Sequence, residues 1–312
     1  MKNFVLLLCV LIAGAQPSFA APSDSLKVVF WNLENFFDYT DTAASESDTE
    51  FSSRGARRWT KRRFLKKCNA VAKLLFWEAG SGQTADIAAF AEIENRSVLT
   101  SLLRETLLRK AGYAIVHYDS PDPRGIDVGL IFRRRALRLV HSAAVPVTGL
   151  ETRDILLCQF VTAGGDSIAV TVNHHPSKYG GGETQARRDA ALECLKSLSD
   201  SLRAAGWGRL LAVGDFNEDA RSSSFDILEE YYVNLGESCP DGSIRFDGQW
   251  QLIDNAFVAG GFAGAGFKVL QAPFLLVKDG AHSGMKPFRT YSGPRYAGGV
   301  SDHLPVAVSL KF

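Results

Sequence analysis

RLLAVGDFNEDA, residues 209–220, runs from an apolar strand straight into Gly-Asp-Phe-Asn. Side chains alternate along a strand, so Asp215 and Asn217 share a face while Phe216 takes the other. Two readings are open at this point. Gly-Asp and Asn-Glu are ordinary turn chemistry. A carboxylate and an amide fixed at the end of a rigid strand are also how a site is held in place.

The same kind of ending recurs along the chain. VVFWN ends at Asn32, IAAFAE at Glu92, AVTVNHH at His174 and His175, and LLAVGD at Asp215. GVSDHLP sets Asp302 and His303 just before a final apolar strand, LPVAVSLKF. Turn chemistry alone would favour Gly, Pro and Ser at these ends, not Asn, Glu, His and Asp repeatedly. If the ends lie along one rim, they form a single acidic, histidine-bearing pocket.

The chain has 312 residues, of which 46% are hydrophobic and 22% charged, a globular composition with length for a large core. MKNFVLLLCVLIAGAQPSFA, residues 1–20, reads as a secretory signal, with Lys2, an apolar run and Ser18-Phe19-Ala20 before the cleavage point. The apolar run is too short to span a bilayer comfortably. The mature domain is expected from residue 21 to 312. Outside the leader, Cys68, Cys158, Cys194 and Cys239 are widely spaced and match no zinc pattern. An exported protein could pair them, but apolar surroundings favour buried free thiols. The formal charge of +1 falls to about zero once Lys2 leaves with the signal, so overall charge gives no argument for nucleic acid.

Residues 40–58 are polar and read as a long loop. The apolar spacing of Phe64, Cys68, Val71, Leu75 and Phe76, with Thr60 as a cap, predicts an amphipathic helix. A second helix is expected over SVLTSLLRETLLRKAG, ending at Gly112, a third over 183–205, and a short one over Ser222–Tyr232. Strands are expected at Tyr113–His117, Ile126–Phe132, Leu137–Pro146, Ile155–Val161 and in WQLIDNAFVA. Residues 235–250 read as loop, and the glycines of AGGFAGAGF as a turn or flexible loop. Helices and strands mix without strict alternation, which points to packed sheets with helices outside.

The motifs WNLENF, FAEIEN, VNHHPS, GDFN, LIDNAFV and SDHLP, in this order, resemble the endonuclease/exonuclease/phosphatase superfamily, which includes deoxyribonuclease-like and exonuclease III-like enzymes. GSIRFDGQWQLIDNAFV and PFRTYSGPRYAGGVSDHLPV resemble exported bacterial members. The resemblance spans roughly residues 27–312 and draws one site from the whole chain, so it favours one domain over two. It implies an α/β fold, a four-layer α/β/β/α sandwich of two packed mixed β-sheets with outer helices. It also implies a divalent metal, usually magnesium, with manganese or calcium as alternatives, and hydrolysis of phosphate esters. The residues suit that chemistry independently. Attack of water on an anionic phosphodiester needs a metal or cation to offset charge, and magnesium takes oxygen ligands and few carboxylates.

Carried over residue by residue, the resemblance makes Glu92 a metal ligand, with Asn32 orienting Glu92 or a metal-bound water. Asp302 becomes a second metal or water-network carboxylate. Asp215 orients or deprotonates the attacking water, and Asn217 holds the phosphate. His303 contacts the phosphate or acts as base, and Asp254 fixes its tautomer. The general base, Asp215 or the Asp254–His303 pair, stays open. His174 stabilises or protonates the leaving oxygen, with Asp127 as its carboxylate partner, while His175 faces away and is packed. Glu94, two residues beyond Glu92, is expected behind it on the same face.

Arg124 can bind phosphate bidentately or be a solvated loop arginine. The run RGARRWTKRRFLKKCNAVAK is either a helix with a solvated basic face or a phosphate-binding patch with Trp59 stacking on a base. The expected function is an exported metal-dependent endonuclease acting on DNA or RNA as a monomer without membrane insertion. The alternatives are a sphingomyelinase-like or inositol-phosphate-type enzyme and, more remotely, a non-catalytic binding protein.

Overall fold

The computed structural model describes residues 25–80, 82–178 and 182–312, so the expected signal segment lies outside the described residues. The chain order is β1 (Ser25–Phe36), α1 (Glu46–Glu50), α2 (Lys61–Ala79), β2 (Ile87–Ile93), α3 (Arg96–Arg104), β3 (Tyr113–His117), β4 (Asp127–Arg133), β5 (Leu137–Val145), β6 (Ile155–Thr162) and β7 (Ser167–His174). There follow α4 (Gly182–Ala204), β8 (Leu210–Asp215), β9 (Tyr232–Asn234), β10 (Ile244–Phe246), β11 (Gln249–Gln251), β12 (Asp254–Ala259) and β13 (Gly264–Val269). The chain closes with β14 (Leu276–Lys278), β15 (Met285–Pro287), β16 (Tyr291–Ser292), β17 (Arg295–Tyr296) and β18 (Val306–Lys311).

Two six-stranded sheets carry the fold, ordered β13-β18-β1-β2-β4-β3 and β5-β6-β7-β8-β12-β9. Each has one parallel pair, β1/β2 or β7/β8, among antiparallel neighbours. A parallel pair needs a long crossover, and α2 and α4 supply the two crossovers. Each helix then covers the outer face of its own sheet.

Strand alternation explains the layers. In β8, Leu211 and Val213 enter the core between the sheets, whereas Leu210 and Ala212 join Leu192, Leu195 and Leu202 of α4 outside. The α2 stripe Phe64, Cys68, Val71 and Leu75 is buried as its spacing predicts, but Phe76 is exposed. This is the α/β/β/α sandwich of two mixed sheets with outer helices. Cys68, Cys158, Cys194 and Cys239 are free thiols. No helix of the described residues is long and apolar enough to cross a membrane.

Five local expectations are corrected. Residues 40–58 carry α1, because Ser45 Oγ accepts from Asp48 N at 3.0 Å and caps it, and Asp48 in turn accepts from Thr42 and Ala44. The glycine-rich stretch contains β13, which pairs with β18 at a sheet edge where small residues are tolerated. Residues 235–250 hold β10 and much of β11. The helix expected to reach Gly112 stops at Arg104, and a single 3-10 turn, Leu107–Lys110, follows. The helix expected over Ser222–Tyr232 is a 3-10 turn, Ser223–Leu228.

Candidate active site

The same alternation that sends Leu211 and Val213 inward sends Asp215 inward. On the neighbouring strands His174 ends the inward series Val170, Val172, and Asp254 begins the inward series Ala256, Val258. Register then places these three side by side: His174 is opposite Asp215 across the parallel β7/β8 pair, and Asp254 is opposite Asp215 across the antiparallel β8/β12 pair. Only glycine fits at 214, where a Cβ would lie 2.2 Å from the Asn173 carbonyl oxygen. That close approach brings the ends of β7 and β8 together.

Both readings of GDFN hold. Asp215 Oδ1 accepts from Asn217 N at 2.9 Å, an Asx turn. Its other oxygen faces the opposite sheet and accepts from Asn32 Nδ2 at 2.9 Å. His303, just before β18, adds the fourth side chain. Its Nδ1 is 2.7 Å from Asp254 Oδ2, and its Nε2 is 3.9 Å from Asp215 Oδ2. His174 Nε2 is 3.7 Å from the same Asp215 oxygen. One carboxylate oxygen therefore sits between two imidazoles.

Burial and neighbouring charges together set the protonation states. Asp215 is pushed up to about 7, first by burial and then by the charge of Asp254, against the pull of His303 and Asn32. For His303, burial opposes the charged form. Asp254, its hydrogen bond, Asp215 and Asp302 outweigh it and hold the ring well above the usual histidine range. His174 is held well below that range by burial, Arg153 and Arg124. Around neutral pH the site thus holds a cationic His303, a neutral His174 and an Asp215 near its midpoint.

The site is built on strained backbone on both sides. Glu34, Asn35, Glu92 and Asn217 all have left-handed φ, between 44° and 58°. Such residues persist where the surroundings over-determine them, and they cluster at functional sites. Asn35 N donates to Glu92 Oε2 at 2.7 Å, and Arg124 Nη2 donates to Asn35 Oδ1 at 2.7 Å and lies 3.5 Å from Glu92 Oε2. Arg124 is half-exposed. Glu34 accepts from Arg289 Nε at 3.0 Å and Thr290 N at 2.7 Å, while Arg289 Nη2 donates to Asp302 Oδ2 at 3.0 Å. Lys67, only 2% exposed, donates to Glu34 O at 2.8 Å and Thr290 Oγ1 at 2.9 Å. Burial lowers its ammonium to about 8, with Glu34, Glu92 and Asp302 opposing.

The donors suit a hard divalent cation. The rim offers carboxylate oxygens from Glu92 and Asp302, and Glu92 Oε1 carries no hydrogen bond among the described residues. The ligand atoms of Asp215, Asp254 and His303 also lie within 4.8 Å of one another. A cationic His303 already bonded to Asp254 is a poor metal ligand, however, because the metal needs the neutral ring. Glu92 is the better anchor.

Several predicted residues are placed elsewhere. Asn32 holds Asp215 and accepts from Glu34 N at 2.9 Å, so it does not orient Glu92; Asn35 does. Asp127 pairs with His117 Nε2 at 3.0 Å and Ser120 N at 2.9 Å and does not bond His174, whose Nδ1 has no partner among the described residues. Glu94 bonds Asp38 N and interacts with Asp48, because the left-handed Glu92 breaks the strand alternation between the two glutamates. Trp59 is 1% exposed, with Nε1 bonded to Phe37 O, so it presents no face to a base. Asn217 also donates to His175 O at 3.0 Å, and His175 is packed edge-on against Phe216.

The residues missed from sequence are Glu34, Asn35, Lys67, Arg289 and Thr290. Lys67 gave a signal, since it lies three residues after Phe64 on the apolar stripe of α2.

Residues 27–311 match the Endonuclease/Exonuclease/phosphatase family. No curated protein matches the chain. Among solved structures, truncated TDP2 from Caenorhabditis elegans is similar with a TM-score of 0.60 and 14% identity, over 92% of this chain and 98% of that one. TDP2 from D. rerio, complexed with single strand DNA product, gives 0.59 and 12%, over 92% and 99%. The mannosyl-6-phosphatase of Bacteroides thetaiotaomicron gives 0.59 and 16%, over 92% and 100%. At these identities the likeness to the solved structures is one of fold. With the family match running from β1 to the end of β18, the chain belongs to the endonuclease/exonuclease/phosphatase family.

Proposed function

We propose that the protein is an exported phosphoester hydrolase that uses a divalent metal, magnesium before manganese or calcium, and cleaves phosphodiester bonds of DNA or RNA. The observation that carries the hydrolytic reading is the register-locked row His174, Asp215, Asp254 with His303 closed over it. Asp215 is the general base, because it is the buried carboxylate poised near neutral pH and held by Asn32 and Asn217. His303, kept cationic by Asp254, binds a phosphoryl oxygen and offsets charge that develops there. His174 is neutral and stabilises the leaving oxygen by hydrogen bonding. Asn217 and Arg124 orient the phosphate. A bound magnesium would be held chiefly by Glu92 and would supply positive charge against the phosphoryl oxygens.

Two features support a polymer substrate. Arg54, Arg58, Lys61, Arg62 and Lys66 are exposed on one run, and Arg57 in that run ties it to Gly293, close in sequence to Arg289. Phe246 and Trp250 are exposed on the β10/β11 hairpin, and Ile244 of that hairpin bridges to His303. They offer the stacking surface that Trp59 cannot. A small phosphate ester is the second reading, favoured by the depth of the row: Asp215 is 1% and Asp254 0% exposed.

Mature protein with magnesium is expected to cut plasmid DNA or single-stranded RNA and to lose that activity in EDTA. Activity confined to sphingomyelin or a sugar phosphate would move the substrate to a small headgroup. Activity that survives EDTA would remove the metal from the proposal.

The pH profile tests the base. Asp215 acts only when ionised, so kcat/KM is expected to climb through about 7. It then falls at alkaline pH, where His303 loses its proton. A profile flat between pH 6 and 8 would exclude Asp215 as base.

A further inference from the structure

We infer that Arg153 is a positioning residue: its one buried guanidinium aligns, from behind, the two side chains proposed to orient the phosphate, Arg124 and Asn217. The inference rests on the phosphoester-hydrolase reading and adds to it a residue that does not touch the substrate.

Arg153 lies just before β6. Continued outward, the β6/β7 register that sets Leu156 opposite Val172 brings Arg153 level with His175, just past β7. The Arg153 side chain is 8% exposed, and its ion-pair partner among the described residues, Asp122, is 4% exposed. Nη1 donates to Asp122 Oδ2 at 2.8 Å, and Nη2 donates to His175 O at 2.7 Å. Both bonds are charge-assisted, and a planar guanidinium holds its two acceptors at a fixed spacing.

Each acceptor leads to one of the two phosphate-orienting side chains. Asp122-Pro123-Arg124-Gly125 is a turn, closed by Gly125 N donating to Asp122 O at 2.9 Å, with proline second and a left-handed glycine fourth. Asp122 Oδ1 accepts from Arg124 N at 3.0 Å. One carboxylate thus holds the turn with one oxygen and Arg153 with the other. On the second branch, His175 O also accepts from Asn217 Nδ2 at 3.0 Å. An amide nitrogen carries two hydrogens, so this bond sets the plane of the Asn217 amide and leaves its second N–H for a phosphoryl oxygen. A buried ion pair is a weak source of stability, because desolvation offsets its attraction. The placement of this one is better explained by the two side chains at its ends.

The test removes the pair as a unit. Mature full-length protein with magnesium is assayed on bis(4-nitrophenyl) phosphate, and its Kd for inorganic phosphate is measured by calorimetry. Arg153→Met combined with Asp122→Asn leaves no unpaired buried charge and keeps an acceptor for Arg124 N. In this variant KM and the phosphate Kd are expected to rise about tenfold, with a smaller fall in kcat. Added to Arg124→Ala plus Asn217→Ala, the same change is expected to cost less than about threefold more, because nothing is left to position. Circular dichroism checks folding. Should the combined variant not fold, Asp122→Asn alone serves: its rise in Kd is expected to vanish when Arg124 is alanine and to persist when Asn217 is. An unchanged phosphate Kd in the folded variant would overturn the inference and leave the hydrolase reading standing. Losses that multiply fully with those of Arg124→Ala and Asn217→Ala would also overturn it, since Arg153 would then serve the fold alone. A wild type that cleaves no phosphodiester and binds no phosphate would sink the hydrolase reading and this inference together.

Discussion

Asp215→Asn is expected to lower kcat/KM by roughly 10³-fold or more, the range seen when a general base is removed from a working unit. The substitution keeps the shape, so the Asx turn to Asn217 can persist. What it removes is the proton acceptor that sits 3.7 Å from His174 and 3.9 Å from His303. The same variant is expected to melt no lower than wild type at pH 8. Burial raises the Asp215 carboxyl to about 7 from an ordinary 3.8. A carboxyl raised in the fold contributes its full stability below the ordinary value and loses it as pH rises through the raised one. At pH 8 wild type bears the whole cost of an ionised buried carboxylate, and asparagine does not. At pH 4 that advantage disappears. Near-native activity in a folded Asp215→Asn protein would dismiss Asp215 as base. A protein that is inactive and also much less stable at pH 8 would show that the carboxylate serves the fold.

The row His174, Asp215, Asp254 was legible because strand alternation and strand ends are written in the sequence with period two. Each of the three follows an inward apolar series or precedes one. The carboxylate side was less legible, because its geometry depends on backbone conformation. Glu34 and Asn35 look like two more residues of β1, but their left-handed φ turns one toward Arg289 and the other toward Glu92. The same kind of break at Glu92 defeats the spacing argument for Glu94, which ends up bonded to Asp38.

Arg289 lies 255 residues from its partner Glu34, and the resemblance of its segment, PFRTYSGPRYAGGVSDHLPV, assigns it no role. Lys67 was hidden in a run of basic residues whose composition suggests solvent. Its position on the apolar stripe was the better guide, and position also explains Trp59, which packs among Tyr291, Tyr296 and Lys67. Asp127 could not have been assigned from spacing, because its partner His117 enters only through the pairing of β3 with β4.

Asp254→Asn and His303→Ala are each expected to reduce kcat/KM by roughly 10³-fold, and the double variant by little more than the worse single one. The pair behaves as a unit because one member sets the charge of the other. Asp254 is wholly buried on β12, and one of its oxygens has a single partner, His303 Nδ1 at 2.7 Å. Its other oxygen has no hydrogen bond among the described residues, so the imidazole is the side chain its carboxylate is hydrogen-bonded to. Without that charge, burial takes over and His303 becomes a neutral ring at the pH of the assay. A neutral ring cannot offset phosphoryl charge, so removing the ring afterwards costs little further. The alkaline limb of the pH profile gives a second readout, because in Asp254→Asn it should move down toward neutral pH while the acidic limb set by Asp215 moves less. Multiplicative losses in the double variant, or an alkaline limb that stays in place, would separate the two residues and return Asp254 to a structural role at the start of β12.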